Sequence, residues 1–137
     1  MAKDLFYDIV REVLLGDGWT ITHDPYELRT YDPEWEIDFA AEKILAANRG
    51  PDKIAVEVKS FLETSFAYEF HSVLGQYLNY RSGMKRVDAE RILYLAVPIE
   101  IFELEFSRTG IVNAVNDYQV NILVYDPINK EIIQWRT

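Results

Sequence analysis

The sequence predicts one α/β domain over residues 1–137, a central mixed β-sheet flanked by helices on both faces. Three observations lead there. Stretches with helical spacing of apolar residues alternate along the chain with short apolar runs. One of those runs, Arg91 to Val97, is apolar nearly throughout, as in a strand covered on both faces. Hydrophobic residues make up 49% of the chain and aromatics 14%, which supplies a core and excludes disorder.

Leu5, Phe6, Ile9, Val10, Val13 and Leu14 recur at helical spacing, while Asp4, Asp8 and Glu12 share a polar face. Gly16 and Gly18 stop this helix. Trp19 to Thr22 reads as a short strand ended by the Asp24-Pro25 turn, and Glu27 to Pro33 as a polar loop. Trp35 to Leu45 carries enough apolar residues for a strand. The turn Asn48 to Pro51 then joins it, as a hairpin, to a strand over residues 53–59. Phe66, Phe70, Val73, Leu74, Tyr77 and Leu78 trace a second amphipathic helix up to Ser82-Gly83. The strand 91–97 ends at Pro98, and Ile99 to Asn116 is helical in pattern with a break near Thr109-Gly110. Val120 to Tyr125 and Glu131 to Trp135 are two late strands around the turn Asp126 to Asn129. The order is α-β-β-β-α-β-α-β-β, with no internal repeat or linker.

Composition narrows the function. No apolar run approaches the roughly 20 residues of a membrane span, and Met1-Ala2-Lys3-Asp4 lacks the apolar region of a signal peptide. The chain has no cysteine, so disulfides and thiolate metal sites are excluded, and a cytoplasmic location is expected. His71, beside Phe70, reads as a packed or solvated imidazole and His23 as part of the turn. Two histidines are too few for a His-rich zinc site. Any metal would be held by oxygen, which favours magnesium, with manganese as the alternative. A net charge of −9 opposes unassisted, tight binding to nucleic acid, so DNA contact needs a local basic patch, a metal or a partner. The only basic concentration runs from Arg81 to Arg91. It offers Arg81, Lys85 and Arg86 as candidate DNA contacts, against the plainer reading of a solvated loop and strand entrance.

Glu57-Val58-Lys59 closes the apolar run Lys53 to Lys59. In a strand, Ile54, Val56 and Val58 point one way, and Ala55, Glu57 and Lys59 the other. A carboxylate and an ammonium then share one side of a buried strand, where charges are rarely left unless paired or bound to a metal. The hairpin brings Asp38, at the start of one strand, opposite Glu57 near the end of its neighbour. Two acids to hold an ion and a cation to position water are the parts of a magnesium-dependent nuclease, and the carbonyl of Val58 can add a ligand. Chance alone supplies about one acid-x-Lys triplet in a chain with 23 acidic residues, and one is found. The placement, not the triplet, carries the signal. The alternative is a Glu57–Lys59 ion pair at a strand end.

On the following helix, Gln76 and Tyr80 share one face, as do Tyr77 and Arg81. Gln76 can reach the carboxylates and hold a water or a phosphate oxygen, with Tyr80 in support; otherwise it is a surface amide. Glu12 on the first helix is a further candidate acid, or a solvated residue beside Asp8. No Gly-rich phosphate loop or nucleophile elbow is present.

The order Asp38, Glu57-Val58-Lys59, then Gln76 with Tyr80 resembles the PD-(D/E)xK nuclease superfamily, with its RecB-like Gln-x-x-x-Tyr element. The resemblance implies a restriction-endonuclease-like fold, magnesium-dependent phosphodiester hydrolysis, and Asp38, Glu57 and Lys59 as the first acid, second acid and lysine. Ile37 stands where a proline usually precedes the first acid. A closer resemblance, over essentially the whole length, is to the fdxN element excision controlling factor family, the XisH proteins. It lies in Asp17 to Thr22 followed by Asp24-Pro25, Ile37 to Glu42, Val56 to Phe61, and Leu74 to Tyr77. This likeness implies control of the excision of a DNA element by site-specific recombination during cyanobacterial heterocyst differentiation, with an XisI companion protein as partner. Two functions follow: a metal-dependent DNA endonuclease, or a non-catalytic module acting through the companion, the recombinase or DNA. A nuclease restrained by its companion would reconcile them. Exposed apolar surface on the late helices or strands could support a homodimer.

Overall fold

The computed structural model describes residues 3–29, 32–44, 50–62 and 65–137. Among the described residues there are four helices and eight strands. Helix α1 (Tyr7–Gly16) buries Tyr7, Val10, Val13 and Leu14, the face its periodicity predicts. Leu5 lies before the helix and is exposed, because the first turn is set by Asp4, whose Oδ1 accepts from Phe6 N at 2.9 Å. Beyond the helix Gly18, at φ +90, turns the chain into strand β1 (Thr20–His23).

The segment expected to be a loop contains a strand. β2 (Tyr26–Leu28) pairs antiparallel with β3 (Trp35–Ile37) as a separate two-stranded sheet, with Tyr26 and Leu28 buried. The single strand expected from Trp35 to Leu45 is therefore two, β3 and β4 (Phe39–Ile44), parted at Asp38. Ile37 and Phe39, two residues apart, sit in opposite halves of the core. A continuous strand would put both on one face, so the chain bends at Asp38. Leu45 and the first two residues of the predicted hairpin turn, Asn48 and Arg49, lie outside the described residues.

β5 (Pro51–Val58) pairs antiparallel with β4, Phe39 opposite Val56 and Ala40 opposite Ala55. Helix α2 (Phe66–Val87) crosses to β6 (Ile92–Pro98), which runs parallel to β5. Ser65 caps α2 by accepting from Tyr68 N. Ser82-Gly83 does not stop this helix. Gly83 is buried and Met84 reaches the core, and that packing outweighs the helix cost of a glycine, about 1 kcal/mol. Arg81, Lys85 and Arg86 accordingly stand on a helix, not in a loop, and Arg91 is buried.

Helices α3 (Ile99–Glu105) and α4 (Thr109–Asp117) follow, the break falling just before Thr109. β7 (Ile122–Asp126) is parallel to β6 and antiparallel to the last strand, β8 (Glu131–Arg136). Asp126 nucleates that turn, its Oδ1 accepting from Ile128 N and Asn129 N. The main sheet is thus β1-β4-β5-β6-β7-β8, mixed and six-stranded. α1 packs on one face against Phe39, Val56, Tyr94 and Leu123; α2, with residues of α3, α4 and the small sheet, packs on the other against Ala55, Leu93, Leu95 and Val124. Helices cover both faces, as the sequence predicts. Among the described residues no helix is long and apolar enough to cross a membrane.

Candidate active site

Ala55 belongs to the α2 face of the sheet, so the pleat sends Glu57 to that face too, at the carboxyl end of β5. The bend at Asp38 places its carboxylate beside Glu57. Asp38 N donates to Glu57 Oε1 at 3.2 Å, and Val58 N donates to Asp38 Oδ2 at 2.8 Å. Lys59 Nζ lies 3.9 Å from Glu57 Oε2. Glu57 is 8% exposed, so two carboxylates and one ammonium meet where water is scarce.

The charges do not balance there. Burial, then the neighbouring Asp38 carboxylate, pushes Glu57 up to about 8, against the pull of Lys59. Burial also raises Asp38, although the Val58 amide and Lys59 oppose it. Tyr80 is pushed up to about 12 by burial and by the charges of Glu57, Asp38 and Glu36. A carboxylate pair with this strain is eased by a proton or by a cation.

A cavity of about 360 Å³ opens on the pair. Asp38, Glu57, Val58, Lys59, Gln76 and Tyr80 all line it. Gln76 Oε1 is buried and has no hydrogen-bond partner, an acceptor beside the carboxylates that a water or other donor would satisfy. Among the described residues no group of three or more Asp, Glu, His or Cys side chains is placed to hold a metal ion. A cation here would rest on two carboxylates, with the Val58 carbonyl and water completing its shell. Such an oxygen donor set suits a magnesium-sized ion, which keeps several waters.

A family profile described as XisH protein matches residues 1–133. The chain belongs to the XisH family. It is similar to an XisH family protein from Nostoc punctiforme, with 39% identity and a TM-score of 0.88 over 98% of this chain and 100% of the other. It is equally similar to a protein from Anabaena variabilis described as an fdxN element excision controlling factor, with 39% identity and a TM-score of 0.87 over 96% and 98%. No curated protein matches the chain.

In this XisH chain Glu12 stands apart from the cavity. It projects from the exposed face of α1 and pairs with Lys130 at 3.0 Å. Arg81, Lys85 and Arg86 do not line the carboxylate cavity either. The structure adds residues that sequence reasoning passed over. Asp4 Oδ2 accepts from Ser60 N at 2.9 Å and Ser60 Oγ at 3.1 Å, tying the chain start to the residue after Lys59. Tyr7 donates to Asp24, which also pairs with Arg11 at 3.0 Å. Asp4 carried one signal, the polar face that its spacing predicts with Asp8 and Glu12, although it lies before α1; nothing in the sequence showed that it reaches Ser60, 56 residues away.

Proposed function

We propose that the chain controls excision of a DNA element by site-specific recombination; the description of its Anabaena variabilis relative as an fdxN element excision controlling factor supports the excision role. In this reading the domain is restriction-endonuclease-like, of the PD-(D/E)xK kind, and acts on phosphodiesters with magnesium or manganese. One observation carries it: Asp38 and Glu57 meet as an acid pair that Lys59 does not fully offset when both are ionised, at a cavity that Lys59 and the unpartnered Gln76 Oε1 also line. Asp38 and Glu57, with the Val58 carbonyl, would hold the ion, which supplies Lewis-acid polarisation of a phosphoryl oxygen. Lys59 donates to a phosphate oxygen or orients the attacking water, and Gln76 Oε1 accepts from that water. Tyr80 closes the side toward Glu36.

The test is cleavage of duplex and branched DNA with magnesium or manganese, alone and with an XisI-like companion protein. Glu57→Ala is expected to lower cleavage by at least about a hundredfold. Wild type indistinguishable from Glu57→Ala under every condition gives the second reading, a non-catalytic module that works through the companion. The charge favours that reading: six acids and two lysines line the cavity of a chain that is already −9 overall.

A further inference from the structure

A second cavity, about 660 Å³, lies beside the other half of α2. Its chemistry inverts the first. Arg81, Lys85 and Arg136 line it together with the carboxamides of Asn116, Gln119 and Asn121, and no Asp or Glu side chain does so among the described residues. In a chain with 23 acidic residues and a net charge of −9, such a lining is not a sample of the surface.

Both guanidinium groups are held by neutral partners, so they are fixed without being neutralised. Arg81 Nη1 donates to the Gln119 carbonyl at 2.8 Å and lies 5.5 Å from the centre of the Tyr77 ring. Arg136 Nη2 donates to Asn116 Oδ1 at 2.9 Å. Lys85 has no ion pair among the described residues. Gln119 sits at φ +53, a setting that side-chain-bearing residues adopt at a cost, and this turn presents the carbonyl that Arg81 takes. The frame behind is rigid: the Tyr77 hydroxyl donates to the Leu93 carbonyl and accepts from Asn121 N, both at 3.0 Å.

We propose that this cavity binds phosphate groups of a DNA strand. The proposal rests on the reading of the carboxylate cavity as a phosphodiester site. α2 supplies Gln76 and Tyr80 to that cavity and Arg81 and Lys85 to this one, so both open beside one helix. Two guanidinium forks with N–H groups to spare match phosphate oxygens, and Lys85 adds a mobile point charge. Overall negative charge does not forbid this. At about 0.1 M salt the screening length is roughly 10 Å, so groups within the cavity outweigh distant carboxylates. Arg86 is not part of the site; it is turned back onto Ser82 of its own helix.

The experiment is fluorescence anisotropy of a short labelled duplex in EDTA across a salt series. Lys85→Gln with Arg136→Gln is compared with Arg29→Gln plus Arg108→Gln, which changes net charge equally at residues outside the cavity. The wild type is expected to bind with a salt-dependent affinity. The Lys85/Arg136 variant should bind about tenfold more weakly, with the salt slope smaller by about 2, and the control within about twofold of wild type. Lys85→Gln alone, at an unpaired residue, carries about half the change in slope if the double variant fails to fold. Absence of wild-type binding, or equal weakening in the control, overturns the proposal. Competition by polyglutamate as strong as by unlabelled DNA overturns it in favour of an acidic protein. Competition as strong by a nucleoside monophosphate overturns the DNA assignment in favour of free nucleotide. Because EDTA removes divalent ions, the outcome does not depend on an ion held at Asp38 and Glu57. Lost cleavage with retained anisotropy tells against the nuclease reading, and the reverse against this site.

Discussion

Raising the pH from about 4.5 to 8 is expected to destabilise the folded chain, and Glu57→Gln to remove most of that loss. The sign follows from the raised folded-state value. Below 4.5 the Glu57 carboxyl is protonated whether the chain is folded or not, and it contributes nothing. Between 4.5 and about 8 the unfolded chain releases the proton while the folded chain keeps it, so stability falls as pH rises. Above about 8 the loss is complete, on the order of 5 kcal/mol for a buried acid so shifted. Asp38, also raised, acts in the same direction. Asp88 and Asp126 have lowered values, so their contributions are present above the ordinary carboxylate range and disappear only in stronger acid. Urea unfolding of wild type and Glu57→Gln at both ends of the window isolates the Glu57 contribution. The amide keeps an acceptor for Asp38 N and carries no charge. A variant advantage of a few kcal/mol at pH 8 that disappears near pH 4 is expected; parallel pH profiles would show that the two carboxylates do not strain one another.

Arg91→Ala is expected to cost about 3–5 kcal/mol. The Arg91 side chain is 5% exposed and joins four parts of the fold. Its Nε donates to Asp88 Oδ2 at 2.8 Å and its Nη1 to the Ile54 carbonyl at 3.0 Å. Nη2 lies 3.6 Å from Glu42 Oε2, and the guanidinium lies 5.2 Å from the centre of the Tyr26 ring. Tyr26 in turn donates to Asp88 Oδ2 at 2.8 Å. Burial alone would raise Asp88, but the hydrogen bonds from Arg91 and Tyr26 bring it below the usual carboxylate range. Truncation to Ala leaves the Ile54 and Ala41 carbonyls without this donor and takes the cation away from Asp88 and Glu42, the costly way to break such a network. Arg91→Lys should fall between, since an ammonium keeps the charge but not the fork. Denaturant unfolding at neutral pH measures both, and a loss below about 1 kcal/mol for Arg91→Ala would mean that the network is dispensable.

The helices and the buried strands were legible because their apolar periods are long and regular: α1, α2, β5 and β6 fall where the spacing puts them. The placement of Asp38 opposite Glu57 was legible too, since it needs only a hairpin and the alternation of a strand. What hid was set by tertiary contacts. Tyr26 and Leu28 sit in a polar segment, and only pairing with Trp35 to Ile37 makes them a strand. The bend at Asp38 depends on Ile37 and Phe39 finding different cores, which no local pattern encodes. Ser82-Gly83 looked like a helix end because local propensity does not register the burial of Met84. Arg91 looked like part of a solvated basic run, and its role rests on Asp88 and Glu42, one close in sequence and one far. The cationic cavity could be read only in part: Arg81 and Lys85 stood out as candidate DNA contacts, but Asn116 and Arg136 join them from two other elements.

The central claim is that Asp38 and Glu57 together hold a divalent cation. Calorimetric titration with magnesium and with manganese at pH 7, repeated in buffers of different ionisation enthalpy, tests it most directly. Glu57 is largely protonated at that pH, so wild type should bind one ion saturably and release close to one proton as it does so. Glu57→Gln and Asp38→Asn should each bind at least about tenfold more weakly; Glu57→Gln should release no proton, and Asp38→Asn, in which burial still raises Glu57, should release part of one. No saturable binding, or equal binding by Glu57→Gln, would contradict the claim.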